Sequence, residues 1–206
     1  MKDQLYRIKS QTQSVYQDRA RAFDIQRGRS GMEHAWLERF VVSLPKAGAI
    51  LDLGCGSGEP VSAYLINKGF HLTGIDYAAA MIDMARQRFP DHGWLVQDMV
   101  DPLPDRQFNG LISWNGFFHL SPEEQRHALP QFAAAVLPGG NLLLTVGPAE
   151  GEITGTVDGA PVYHASLDPA EYRDLLLAAG FATIEFQAED PDCGLHSVLL
   201  ALDKQA

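Results

Sequence analysis

The chain has 206 residues, 46% of them apolar and 20% charged, which suits one α/β core and excludes a disordered polypeptide. Its formal net charge of −10 repels phosphate backbones, and Asp18 and Asp24 interrupt its most basic stretch, so no nucleic-acid partner is expected. Cys55 and Cys193 give neither a disulfide framework nor a zinc motif, and no run approaches the roughly twenty apolar residues of a membrane span. The polar start lacks a signal-peptide core, so the expectation is a soluble cytoplasmic protein, with no membrane partner and no metal.

Residues 12–26 read as a helix, followed by Gly28 and Gly31 and a second helix through Trp36, Leu37, Phe40 and Val41 that Pro45 ends. Strand and helix then alternate. Residues 49–53 form a short apolar strand, followed by glycines and a helix through Val61, Tyr64 and Leu65. A strand at 71–75 precedes a helix at 79–88, and further strands fall at 94–97 and 110–114. A helix over 122–136 reaches the Pro138-Gly139-Gly140 turn, before a strand at 141–146. Residues 147–161, glycine-bearing and poor in large apolar side chains, read as a loop or lid. Asp168 caps a helix with Pro169 at its first position, and strands at 182–188 and 195–202 close the chain. The pattern is a single domain of doubly wound, Rossmann-like α/β type: residues 1–45 a helical N-terminal region, residues 46–206 a mostly parallel seven-stranded sheet with an antiparallel edge hairpin.

The strongest chemical signal is Asp52-Leu53-Gly54-Cys55-Gly56-Ser57-Gly58, directly after the first strand. Alternate glycines permit a tight turn and bare the backbone to a ligand, and the next helix offers its N-terminal amides. Asp76 ends the second strand, where a carboxylate can accept from both hydroxyls of a ribose. The same carboxylate could serve only as a helix N-cap.

These segments resemble class I S-adenosylmethionine-dependent methyltransferases, and the likeness continues through Gln97-Asp98-Met99 and the Pro138-Gly139-Gly140 turn, over residues 49–146. The resemblance implies S-adenosylmethionine as cofactor and S-adenosylhomocysteine as product. Gly54, Cys55, Gly56 and Gly58 would pass beneath its methionine part, with Asp52 steadying the loop or the ammonium group. Asp76 would hold the ribose, Tyr77 and Met81 would border the adenine, and Asp98, with Gln97 and the Met99 backbone nearby, would accept from the adenine amine. Trp114 and Asn115, with Phe118, would lie between cofactor and acceptor, and Tyr16 and Arg27 would belong to a lid over the cofactor. Asp98 could equally be a turn-former, Trp114 core, and Tyr16 and Arg27 surface side chains.

Methyl transfer is an in-line displacement that needs a base only when the acceptor is protonated. His119 and His164 are the residues expected in the acceptor pocket. Trp114-Asn115-Gly116-Phe117 departs from the Asn/Asp-Pro-Pro-aromatic motif that resembling enzymes use on amide or base nitrogens, and no carboxylate set matches a magnesium site. A small-molecule acceptor is therefore expected, with a monomer or homodimer left open. Two alternatives stand beside this reading. One is a nicotinamide-dependent oxidoreductase, against which Glu59 occupies the third glycine position and the Tyr64/Lys68 pair falls too early in the chain. The other is a non-catalytic S-adenosylmethionine-binding protein.

Overall fold

The computed structural model describes residues 2–206. Helix α1 (Lys2–Gln26) begins ten residues earlier than the pattern at 12–26 suggested. Nothing between Lys2 and Gln26 breaks a helix, since that stretch holds neither glycine nor proline. Helix α2 (His34–Val41) turns Trp36, Leu37, Phe40 and Val41 onto one face of the sheet, against Ile50, Ile112 and Leu143.

Strand β1 (Ala49–Leu53), helix α3 (Val61–Asn67), strand β2 (His71–Asp76), helix α4 (Ala79–Arg88) and strand β3 (Gly93–Val96) then follow as strand–helix–strand units with parallel pairing. After β4 (Phe108–Ser113), helix α5 (Pro122–Ala134) starts on a capping box: Ser121 Oγ accepts from the Glu124 amide, and the Glu124 carboxylate accepts from the Ser121 amide. Strand β5 (Val136–Val146) already starts before the Pro138-Gly139-Gly140 stretch, which bulges it between the Phe108–Val136 and Gly110–Asn141 pairs. Gly140 must be glycine there, because a Cβ would come within 2.5 Å of the Asn109 carbonyl oxygen.

The stretch 147–161 is not a loop. It forms strand β6 (Gly151–Val157), which pairs antiparallel with β7 (Ala160–Ser166) across a two-residue turn. Asp158 and Gly159 both have positive φ, +46° and +76°, as a type I′ turn requires. Helix α6 (Pro169–Ala178) and strands β8 (Phe181–Asp190) and β9 (His196–Lys204) complete the chain.

The main sheet runs β3-β2-β1-β4-β5-β9-β8, with β9 antiparallel to both neighbours. Parallel pairing puts β1, β2 and β4 in step, so their carboxyl ends share one edge. The order reverses between β1 and β4, and a crevice opens at that switch point. Helix α1 and the β6–β7 hairpin stand over this edge. Thr12 Oγ1 accepts from the Tyr163 amide (3.1 Å), and Ile8 packs with Tyr163 and Ala165, which ties helix and hairpin together.

Candidate functional site

The turn after β1 is held by its own backbone. Gly54 and Cys55 both donate to the Ile75 carbonyl, at 2.7 and 3.0 Å, which fastens the turn to the end of β2. Gly54, Gly56 and Gly58 have φ of +72°, +54° and +82°, a region other residues enter only with strain. At Gly56 the place of a Cβ is open, with Met81 Sδ nearest at 4.0 Å, so the bare backbone faces a cleft. Beneath Gly58 the same space is filled by Phe89 and Trp94, and this glycine serves packing.

Asp76 Oδ2 accepts from the Gly56 amide (2.9 Å) and Oδ1 from the Ala78 amide (2.8 Å). One carboxylate thus orders both the glycine turn and the entry to α4, and each oxygen keeps a lone pair for a ligand. Burial raises its pKa to about 6. On the neighbouring strand Asp52 is buried and accepts from Ser62 Oγ (2.5 Å); burial, with Asp76 nearby, lifts it to about 7. Across the cleft the Arg27 guanidinium is half-buried, and among the described residues it has no side-chain hydrogen bond or ion pair. Trp114 Nε1 is a buried donor without a partner among them.

Tyr16 and His119 form a fixed pair. His119 Nδ1 lies 2.7 Å from the Tyr163 carbonyl and must donate to it, so Nε2 accepts from the Tyr16 hydroxyl at 2.9 Å. Burial pushes this histidine down to about 4 and holds it neutral. Together with Cys55, Tyr77, Met81, Met99 and Asn115, these groups line a narrow cleft of about 670 Å³, mouth included. Two carboxylates, a guanidinium, bare amides and flat apolar faces suit a ligand carrying an amine, a diol, a carboxylate and a ring.

A second, wider cleft of about 1380 Å³ adjoins the first and shares Tyr16, Phe23, Arg27 and Asn115 with it. Its other walls come from the β6–β7 hairpin, from Phe118, and from Leu195 and His196 at the start of β9. His164 faces this wider cleft, whereas His119 faces the narrow one. Gln97 and Asp98 line neither: Gln97 Nε2 donates to the Pro102 carbonyl, and Asp98 Oδ1 accepts from the Val100 amide as a turn-former does. Tyr64 and Lys68 both contact Glu38 on the exposed face of α2 and α3, away from either cleft.

Several residues of the site carry no local sequence signal. Asp24 Oδ1 accepts from Ser57 Oγ (2.5 Å), and both its oxygens accept from Arg88, which latches α1 over the glycine turn. The Arg88 contact holds the Asp24 carboxyl at about 2. Gly116 touches the turn from below: a Cβ would stand 3.0 Å from the Leu53 carbonyl and 3.3 Å from Gly54 Cα.

A doubly wound sheet with this strand order, a glycine turn and an acidic residue ending β2 defines the class I methyltransferase fold. A family model described as "Methyltransferase domain" matches residues 50–140. The chain thus has the class I methyltransferase fold, and residues 50–140 are similar to a methyltransferase domain. It is 33% identical over 106 residues to trans-aconitate 2-methyltransferase of Variovorax paradoxus, covering 50% of this chain and 40% of that protein. It is 29% identical over 143 residues to a probable tRNA methyltransferase 9B of Mus musculus, covering 67% of this chain and 30% of that one. The chain thus spans well under half the length of these relatives. The solved structure of a DhpI–SAH complex superposes with a TM-score of 0.74 at 23% identity, over 97% of this chain and 98% of that one.

Proposed function

We propose that the chain is an enzyme that transfers the methyl group of S-adenosylmethionine to a small-molecule acceptor and releases S-adenosylhomocysteine. The observation that carries this reading is the junction of the two clefts, where Tyr16, Arg27 and Asn115 stand in the walls of both. The narrow cleft fits the cofactor by its donor set. Asp76 would hold the ribose hydroxyls, and Arg27, which has no hydrogen-bonded anion among the described residues, would meet the carboxylate. Asp52 would balance the ammonium group, and Tyr77, Met81 and Met99 would flank the adenine. When bound, the cofactor supplies a methyl group already activated on a sulfonium. The chain's own residues then orient and exclude. Tyr16 and Asn115 stand at the junction, and the neutral His119, with both nitrogens engaged, fixes Tyr16 there.

A net charge of −10 and an acceptor cleft with apolar walls favour a small molecule over a nucleic acid, although a relative is named for tRNA. No described helix is long and apolar enough to cross a membrane, and both cysteines are free, which fits a cytoplasmic enzyme. Calorimetric titration with S-adenosylmethionine, S-adenosylhomocysteine and NAD tests the reading. The adenosyl ligands should bind at micromolar concentration, and Asp76→Ala should weaken them by about 2–4 kcal/mol, roughly 30- to 1000-fold. Binding of NAD alone would overturn the reading. Cofactor binding without turnover of any acceptor in a broad small-molecule panel would favour a non-catalytic role.

A further inference from the structure

The two histidines of the site differ in what their rings are free to do. His119 has both nitrogens committed, to the Tyr163 carbonyl and the Tyr16 hydroxyl. On His164, one residue further along β7, neither ring nitrogen has a hydrogen-bond partner among the described residues, and the ring faces the wide cleft. Strand alternation explains the difference in direction: Tyr163 and Ala165 turn to Ile8 of α1, and His164 turns the other way.

The ring is also held in place. It packs on Phe118 at 4.6 Å and on His119 at 5.0 Å between centroids. Its other side lies across Gly155 on the paired strand, where a Cβ would stand 2.4 Å from the ring's Cε1 and 2.9 Å from its Nε2. Any side chain at 155 would drive the imidazole out of this position. Burial lowers the pKa of His164, which favours the neutral ring.

The rest of the cleft says what meets this base. Its walls include Phe118, Val146, Ile153 and Leu195. The charged and titratable groups that share it are Arg27 and Tyr16 on α1, His119 beside the ring, His196 on β9, and Glu150 and Glu189 at the rim. Arg27 also faces the narrow cleft, where the cofactor's carboxylate would occupy it. Two carboxylates and no other cation disfavour an acceptor that is itself a carboxylate or phosphate. An acceptor that arrives already ionised would moreover give an unpartnered neutral imidazole nothing to do.

Resting on the methyltransferase reading above, we propose that His164 takes the proton of the acceptor, that Gly155 is the positioning residue that lets it do so, and that the acceptor is an uncharged, largely apolar molecule methylated on a hydroxyl group. As the new carbon–oxygen bond forms, the carbon–sulfur bond breaks and its electron pair stays on sulfur. The hydroxyl proton passes to a ring nitrogen of His164, and the imidazolium returns it to solvent. The products are a methyl ether, the neutral thioether and one proton.

The test uses the full chain with S-adenosylmethionine and three probes: 2-naphthol, a weakly acidic hydroxyl; 4-nitrophenol, ionised in large part at pH 8; and benzylamine. Methylated product is read by mass spectrometry and cofactor affinity by calorimetry. The wild type should methylate both phenols. His164→Gln should lose about 10²- to 10⁴-fold on 2-naphthol, as the removal of a general base does, and under about tenfold on 4-nitrophenol. Gly155→Ala should show the same selective loss, smaller in size, with cofactor affinity kept in both variants. Equal losses on the two phenols, an unchanged rate on 2-naphthol, or methylation of benzylamine alone would overturn the proposal. So would no product from any probe while S-adenosylmethionine binds, and that result leaves the methyltransferase reading standing. Failure of the wild type to bind S-adenosylmethionine would remove both.

Discussion

Asp52→Asn separates the two things a buried carboxylate does in this site. The substitution keeps the shape and an oxygen to accept from Ser62 Oγ, and it removes the charge. In the folded, ligand-free protein burial lifts this carboxyl from 3.8 to about 7. Over that interval the folded state holds a proton that the unfolded chain has released, so stability falls as pH rises and levels off above about 7. A gap of roughly three pH units corresponds to about 4 kcal/mol at most. Water entering the cleft and relaxation of the turn reduce this to an expected cost of about 2 kcal/mol at pH 8. Asp52→Asn should therefore be more stable than the wild type by about 2 kcal/mol at pH 8, or about 4–8 °C in Tm for a domain of this size. The advantage should shrink toward pH 5. Asp76, raised to about 6 by its own burial, leaves a smaller slope of the same sign in the variant. Thermal unfolding of ligand-free protein at several pH values measures this, and calorimetry should show weaker S-adenosylmethionine binding by the same variant. An Asp52→Asn protein that is less stable at pH 8, or whose advantage does not change with pH, would refute the reasoning.

The same two carboxyl groups should set the pH dependence of the proposed cofactor binding. A cationic ligand needs them ionised, so affinity should fall as pH drops through about 7 and 6, and calorimetry in buffers of different ionisation enthalpy should show proton release near pH 6.5. Asp24→Ala breaks the latch on Arg88 and Ser57 and leaves the Arg88 charge without its partner, at a cost of about 1–3 kcal/mol. Limited trypsin digestion should then cut α1 at Arg19 or Arg21 faster than in the wild type, and an unchanged digestion rate would show that α1 does not depend on the latch. Gly116→Ala puts a methyl group against the Leu53 carbonyl and Gly54, so the glycine turn must shift. Cofactor affinity should drop at least about tenfold with a stability loss of about 1–3 kcal/mol, and a variant with wild-type affinity would exclude Gly116 as a support of the turn.

The half of the site that could be read from sequence is the half whose signals are local. Asp52, the glycine turn and Asp76 lie within 25 residues, and the strand register sets them at one edge of the sheet without further contacts. Asp76 could have been ligand-binding or a mere cap, and its two oxygens contact both Gly56 and Ala78, so one observation satisfies both readings. The β6–β7 hairpin was legible in principle. Asp158-Gly159 flanked by Val157 and Ala160 is the two-residue turn signal, yet Gly151, Gly155 and Pro161 argue against strands when counted one at a time. Gly155 is there because His164 needs the space across the pair, which only the register reveals. The Asp24 latch had no signal at all, because its partners stand 33 and 64 residues away.

Charge explains why the two clefts obey different rules. The narrow cleft brings Arg27, Asp52 and Asp76 to its walls with no hydrogen-bonded ion pair among the three. S-adenosylmethionine carries one carboxylate, one ammonium and one sulfonium, for a net charge of +1, and each sign has a counterpart in the wall. Bound as proposed, the cofactor would relieve, group by group, what burial has made costly, and would link affinity and fold stability through the same three side chains. The wide cleft has Arg27 and two rim carboxylates, Glu150 and Glu189, and no further cation. With Arg27 engaged, its specificity rests on the apolar faces, on the unpartnered imidazole of His164 and on how α1 and the hairpin close together through Thr12 and Tyr163. Chains that share the glycine turn can therefore share a cofactor while differing in acceptor, because a change in the hairpin or α1 alters the second cleft and leaves the first intact.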